Sequence, residues 1–136
     1  MTNQVITISP APQGNDSAGI VNYASGLLTG DGGTPVAYTL PVGFQPRSVV
    51  LLCLSSATAA DIGKKSEWYD GMPDGTALIT SVAGGATVGG AASKSLSTTL
   101  GPTVLGSNPA GNPLRSVTWP AGAFDSTATY AYQIQG

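Results

Sequence analysis

The chain has 136 residues, five of them basic and seven acidic, with a formal net charge of −2, one cysteine and no histidine. That length suits a single domain able to bury its own core. Charged residues make up 9% of it, against about 25% in an ordinary soluble domain. This argues against a nucleic-acid binder that tracks phosphates with clustered Lys and Arg, and a lone cysteine excludes an intrachain disulfide or a cysteine-rich zinc site.

The surface must instead be built from Ser, Thr, Gly, Ala, Asn and Gln. Having few charges to repel neighbours, such a surface tolerates contact with other subunits. Residues 1–6 carry neither a basic region nor an apolar signal core, so no secretion signal is expected. No apolar run approaches the ~18 residues of a membrane span.

Nineteen glycines and ten prolines are dispersed without a repeat, which punctuates short strands. A first strand is expected at 5–8, followed by a loose segment over 9–19 with Pro10, Pro12, Gly14 and Gly19. Residues 1–19 are therefore expected as a flexible N-terminal arm, and 20–136 as one β domain. A second strand is expected over 20–28, stopped by the turn signal Gly30-Asp31-Gly32-Gly33. Residues 34–40 alternate, with Val36, Tyr38 and Leu40 on one face.

The clearest element is Ser48–Ser55. Its run Val49-Val50-Leu51-Leu52-Cys53-Leu54 reads as a central strand buried on both faces, and Cys53 reads as a small buried hydrophobe. Pro46 keeps Gln45 extended on the way in. A short helix is expected within 56–61, limited by Gly63. Strands at 66–68 and 76–82 flank the compact turn Asp70-Gly71-Met72-Pro73-Asp74-Gly75. Residues 83–92 and 106–113 read as loops. Two late strands follow, at 114–119 and at 128–134, the second with Ala128, Tyr130, Tyr132 and Ile134 on one face. Nothing shows a 3.6-residue apolar period over three turns. The expectation is an all-β chain: a compact β-sandwich, jelly-roll or barrel-like domain with long Gly/Ser/Pro-rich loops.

Without histidine the commonest general base is missing, and no Ser-His-Asp or Cys-His arrangement can form within the chain. There is no P-loop motif, and Gly84-Gly85 and Gly89-Gly90 lack a βαβ context. The best acidic cluster is Glu67, Asp70 and Asp74. Two of its members precede glycine and read as turn formers rather than as a glycosidase pair or calcium ligands. No catalytic residue, metal or cofactor is expected. Trp68, Tyr69, Trp119, Tyr130 and Tyr132 can fill a core or meet a partner. Trp68, at a strand–turn junction, is expected partly exposed and is divided between those roles.

Two stretches carry a family resemblance. Gly43-Phe44-Gln45-Pro46-Arg47-Ser48-Val49-Val50 leads into the apolar strand, and Glu67-Trp68-Tyr69-Asp70-Gly71-Met72-Pro73-Asp74-Gly75-Thr76-Ala77-Leu78 follows it. Together, over residues 43–78, they resemble the head decoration, or capsid cement, proteins of tailed bacteriophages. The resemblance implies a non-enzymatic β domain, a homotrimer, on the outer surface of the phage head between subunits of the major capsid protein. There it would stabilise the head after assembly in the host cytoplasm. It implies no cofactor, small-molecule substrate, nucleic acid or membrane.

Phe44, Arg47, Glu67, Trp68, Tyr69 and Met72 are the residues expected to form the contact or fold-defining group, with Arg47 able to pair with Glu67 across adjacent strands. The alternatives are a tail-fibre or baseplate accessory domain, and a carbohydrate-binding β-sandwich using Trp68, Tyr69 or Trp119.

Overall fold

The computed structural model describes residues 3–9, 22–104 and 115–136. Strands form at β1 (Thr7–Ser9), β2 (Tyr23–Thr29), β3 (Tyr38–Pro41), β4 (Ser48–Ser55), β5 (Lys65–Tyr69), β6 (Ala77–Val82), β7 (Ala92–Ser97), β8 (Ser116–Trp119) and β9 (Thr129–Gln135). Short 3-10 turns occupy Ala59–Asp61 and Ala121–Ala123. Seven strands make one antiparallel sheet in the order β1-β2-β9-β4-β5-β6-β7, and β3 pairs with β8 in a second, small sheet. The chain is all-β and sandwich-like. Among the described residues the large sheet does not close into a barrel.

Strand β9 lies between β2 and β4, where its alternation suits a sheet with one buried face. Ala128, Tyr130, Tyr132 and Ile134 are all buried, as their spacing predicts. In register with them, Leu28 and Ala24 of β2 and Val49, Leu51 and Cys53 of β4 complete the inner face. Leu40 of β3 and Val117 and Trp119 of β8 pack against this layer from the second sheet. Phe124 meets Trp119 and Tyr130 edge-to-face, with centroid separations of 6.1 and 5.6 Å, a favoured arrangement of ring quadrupoles.

Three expectations are corrected. Strand β4 has the expected bounds but is not buried on both faces. Val50 and Leu52 are half-buried and Leu54 is 46% exposed, because the second sheet covers one side only. The strand expected over 34–40 is confined to Tyr38–Pro41, with Thr34 making an isolated bridge to Asn3; Pro35 has no N–H to offer a ladder. Residue 92, expected in a loop, begins β7, which follows the whole length of β6. Its Ala/Ser composition has no strand signal of its own, and the ladder alone makes it a strand.

Of the segment expected as a flexible arm over 1–19, residues 3–9 lie against the domain. The Gln4 amide donates to the Thr34 carbonyl at 2.6 Å, and β1 pairs with β2. The rest of that segment, the first residues of the expected second strand, and the loop over 106–113 lie outside the described residues.

Candidate functional site

The residues singled out in the sequence fall into two environments. Phe44 and Trp68 are wholly buried, and Met72 packs against the same core. Trp68, expected partly exposed, is 0% exposed. Its position on the inner face of β5 turns it inward, and its indole Nε1 donates to the carbonyl oxygens of Met72 at 3.1 Å and Pro73 at 3.4 Å. The turn over 70–75 thus wraps the indole edge. Gly71 and Gly75 hold φ of +98° and +81° there, which a residue with a Cβ adopts only at a cost. The turn is tied to the next segment as well, since Asp74 Oδ1 accepts from the Val104 amide at 2.8 Å.

Arg47 does not reach Glu67. The β4–β5 register sets Val50 opposite Glu67 and Ser48 opposite Tyr69, which brings Arg47 beside Asp70 instead. Their side chains, 71% and 55% exposed, pair at 3.4 Å, an exposed contact of little energetic weight. The backbone matters more here. Asp70 N–H donates to the Arg47 carbonyl at 2.8 Å, and Arg47 N–H donates to that of Gln135 at 2.7 Å.

Glu67 and Tyr69 sit on the opposite face of β5 from Trp68. Glu67 is only 8% exposed, with Lys65 Nζ 3.5 Å from Oε1 and the Tyr69 hydroxyl donating to Oε2. That hydroxyl, helped by Lys65 and Lys94 against the opposing effect of burial, holds the Glu67 carboxyl below its ordinary value. In return Glu67 pushes the Tyr69 phenol up.

This face continues across the sheet. Register carries it from Leu27 of β2 through Ala131 to Leu52, and from Val50 through Glu67 and Leu78 to Leu96. Among the described residues no element covers it. Leu27, Val50, Leu52, Leu54, Leu78 and Leu96 are its apolar members, and Tyr69 and Leu96 are 44% and 65% exposed. At strand spacings of ~4.8 Å the stretch from β2 to β7 extends over roughly 24 Å. Register sets Ser25, Gln133, Lys65, Thr80 and Lys94 among these apolar members, so the face is mixed, with exposed apolar side chains interspersed among polar ones, as in many contact surfaces. Beyond the core, β7 is exposed on both faces, no strand among the described residues pairs with its outer edge, and unpaired edge strands are templates for another chain.

A second feature lies on the inner side. Among the described residues, one end of the sandwich holds a cleft of about 390 Å³. Its floor is Leu51, Cys53 and Ile79, its walls include Leu100, Phe124 and Tyr130, and its rim carries Asp61, Lys64 and Asp125. The two 3-10 turns supply that rim, one ending at Asp61 and the other leading into Phe124-Asp125. Lys64 Nζ meets Asp61 Oδ1 at 3.1 Å.

Asp125 is held by Ser56 Oγ at 2.7 Å, and by the Thr127 amide and hydroxyl at 2.9 and 2.8 Å. Burial alone would raise the Asp125 carboxyl. These donors, with the adjoining Asp61 side chain, hold it far below the carboxylate range. The Tyr130 hydroxyl accepts from the Asp125 amide at 2.6 Å, and burial pushes that phenol strongly up. Burial likewise pushes up the Cys53 thiol, so it stays a thiol.

Comparison with protein-family models, with curated proteins and with solved structures returns no match. Of the rim residues, the sequence reading singled out none as functional. An isolated Asp or Lys in a polar chain carries no spacing signal, and only the approach of the two 3-10 turns brings Asp61, Lys64 and Asp125 together. Trp68 and Trp119 are both 0% exposed, so neither can form an open stacking platform for a soluble glycan; of the three aromatics considered for that role, Tyr69 alone is exposed.

Proposed function

We propose that this chain is a non-enzymatic structural protein of a tailed-phage virion. In this reading it docks on the outer surface of the head, between subunits of the major capsid protein, and stabilises the shell. The observation that carries the reading is the outer face of the seven-stranded sheet, uncovered among the described residues, with apolar side chains from Leu27 to Leu96 set among polar ones. A chain with so few charges has little to keep that face in water once a partner of matching shape is present. Resemblance over residues 43–78 supplies the kind of partner. The buried Phe44 and Trp68 then act as fold-defining residues that hold β4 and β5 in register, while Arg47, Tyr69 and the outer edge of β7, unpaired among the described residues, are left for contact.

The reading brings a homotrimer in the virion and no nucleic acid, membrane or small-molecule substrate. Mixing the purified chain with expanded shells of the major capsid protein, followed by co-sedimentation, tests it. Saturable binding, with a shell that resists heat better when decorated, is the expected outcome. Failure to bind shells would overturn the proposal, and immunogold label on the tail tip or fibres of intact virions would move the chain to a fibre or baseplate role.

A further inference from the structure

We infer that the cleft at this end of the sandwich is a binding site for a sugar ring. The cleft's volume of about 390 Å³ lies in the small-molecule range, roughly 300–1,000 Å³, and its chemistry is divided. Leu51, Ile79, Leu100 and Phe124 give an apolar floor and wall, while Asp61, Lys64 and Asp125 give a polar rim.

A purely apolar ligand would strip water from that rim and return no hydrogen bond, which is costly. An anion would face two carboxylates with one ammonium. A simple cation would leave Lys64 opposed and the floor unused. A pyranose meets both halves at once, because its C–H face packs on apolar and aromatic side chains while each hydroxyl can donate and accept.

The rim suits that duality. Carboxyl oxygens accept and an ammonium donates, so neighbouring hydroxyls of one ring can hydrogen-bond to the Asp61 side chain and accept from Lys64, while the Asp125 oxygens, taken up by Ser56 and Thr127, brace the rim. The site is also built in advance. Asp125 is fixed by Ser56 and Thr127, Asp61 by Lys64, and Phe124 by edge-to-face contact with Trp119 and Tyr130. Little ordering entropy then remains to be lost on binding.

The test is a nuclear magnetic resonance titration of the ¹⁵N-labelled full chain. The probes are methyl α-D-mannopyranoside, methyl β-D-glucopyranoside and N-acetylglucosamine, with putrescine as the cationic and cyclohexanol as the apolar comparison, each taken to about 50 mM, enough to detect millimolar Kd values. At least one glycoside should give saturable shifts centred on Asp61, Lys64, Ser66, Phe124 and Asp125. The variants Asp61→Asn and Lys64→Gln should each weaken binding about tenfold, the scale of one lost charge-assisted hydrogen bond, with the rest of the spectrum unmoved. Both side chains are on the rim, and if one variant fails to fold the other decides.

The inference is overturned if no glycoside saturates, if only putrescine or cyclohexanol does, if sugar shifts map to the outer face around Tyr69, or if a folded variant binds as well as the parent.

Discussion

The Tyr69 hydroxyl donates to Glu67 Oε2 from two residues along the same face of β5. This bond favours the ionised form of an almost buried carboxylate on the outer face of the sheet. The donor is the main reason the Glu67 carboxyl lies below its ordinary value. Tyr69→Phe should therefore raise the Glu67 pKa, read by carboxyl ¹³C shifts against pH, while Lys65→Met should raise it less. Equal titration of Glu67 in parent and Tyr69→Phe would contradict the assignment.

Trp68 gives the sharpest separation of core from contact roles. Trp68→Ala should cost about 3–5 kcal/mol in urea unfolding, as for other large buried aromatics. Trp68→Phe should cost about 2–4 kcal/mol, through lost volume and the donor withdrawn from the Met72 and Pro73 carbonyls. Normal stability in Trp68→Ala would mean that the indole is not the anchor of the turn.

Asp125 sets an acid limit. Its folded-state pKa is depressed, so the stability it contributes is present above the unfolded carboxylate value, near ~3.9, and is lost as pH falls through that value toward the lower folded one. Glu67 acts in the same direction. Unfolding measured in steps from about pH 6 to pH 2 should show stability falling below about pH 4, with a flatter profile in Asp125→Asn. An unchanged slope in that variant would remove Asp125 from the account.

Gly101 is packed too closely for a side chain. Its N–H donates to the Gly75 carbonyl at 3.0 Å, and a methyl group added there would overlap the backbone of Thr76. Gly101→Ala should cost about 1–3 kcal/mol, as other overpacked sites do, and should loosen the turn over 70–75. Thermal unfolding beside that of Gly32→Ala, where the added methyl meets nothing within 4 Å and only the backbone conformation is strained, would distinguish crowding from conformational strain.

Leu54 and Leu96 test the outer face without touching the core. Both are exposed, so Leu54→Lys and Leu96→Lys should change the stability of the isolated chain by less than about 0.5 kcal/mol. Binding to shells should weaken at least about tenfold if these side chains lie within the contact. Unchanged co-sedimentation of both variants would move the docking surface elsewhere.

Much of this chain was legible before any tertiary structure. The bounds of β4, the inward set Ala128, Tyr130, Tyr132 and Ile134, and the turn over 70–75 all follow from local rules: a period of two, and the backbone needs of glycine and proline. The absence of histidine and the shortage of charge are likewise properties of composition alone.

Other features were decided only by what packs on what. An apolar run such as Val49-Val50-Leu51-Leu52-Cys53-Leu54 is compatible with burial on one face or on both, and the small β3–β8 sheet covers one. Trp68 lies inside because its register on β5 turns it toward the core, though a tryptophan beside a turn reads equally well as exposed. Strand β7 exists because β6 offers it a ladder, and the cleft exists because two 3-10 turns remote in sequence meet at one end of the sandwich. Periodicity records which side chains share a face. What covers that face is set by contacts between segments far apart in the chain, and these leave no local pattern to read.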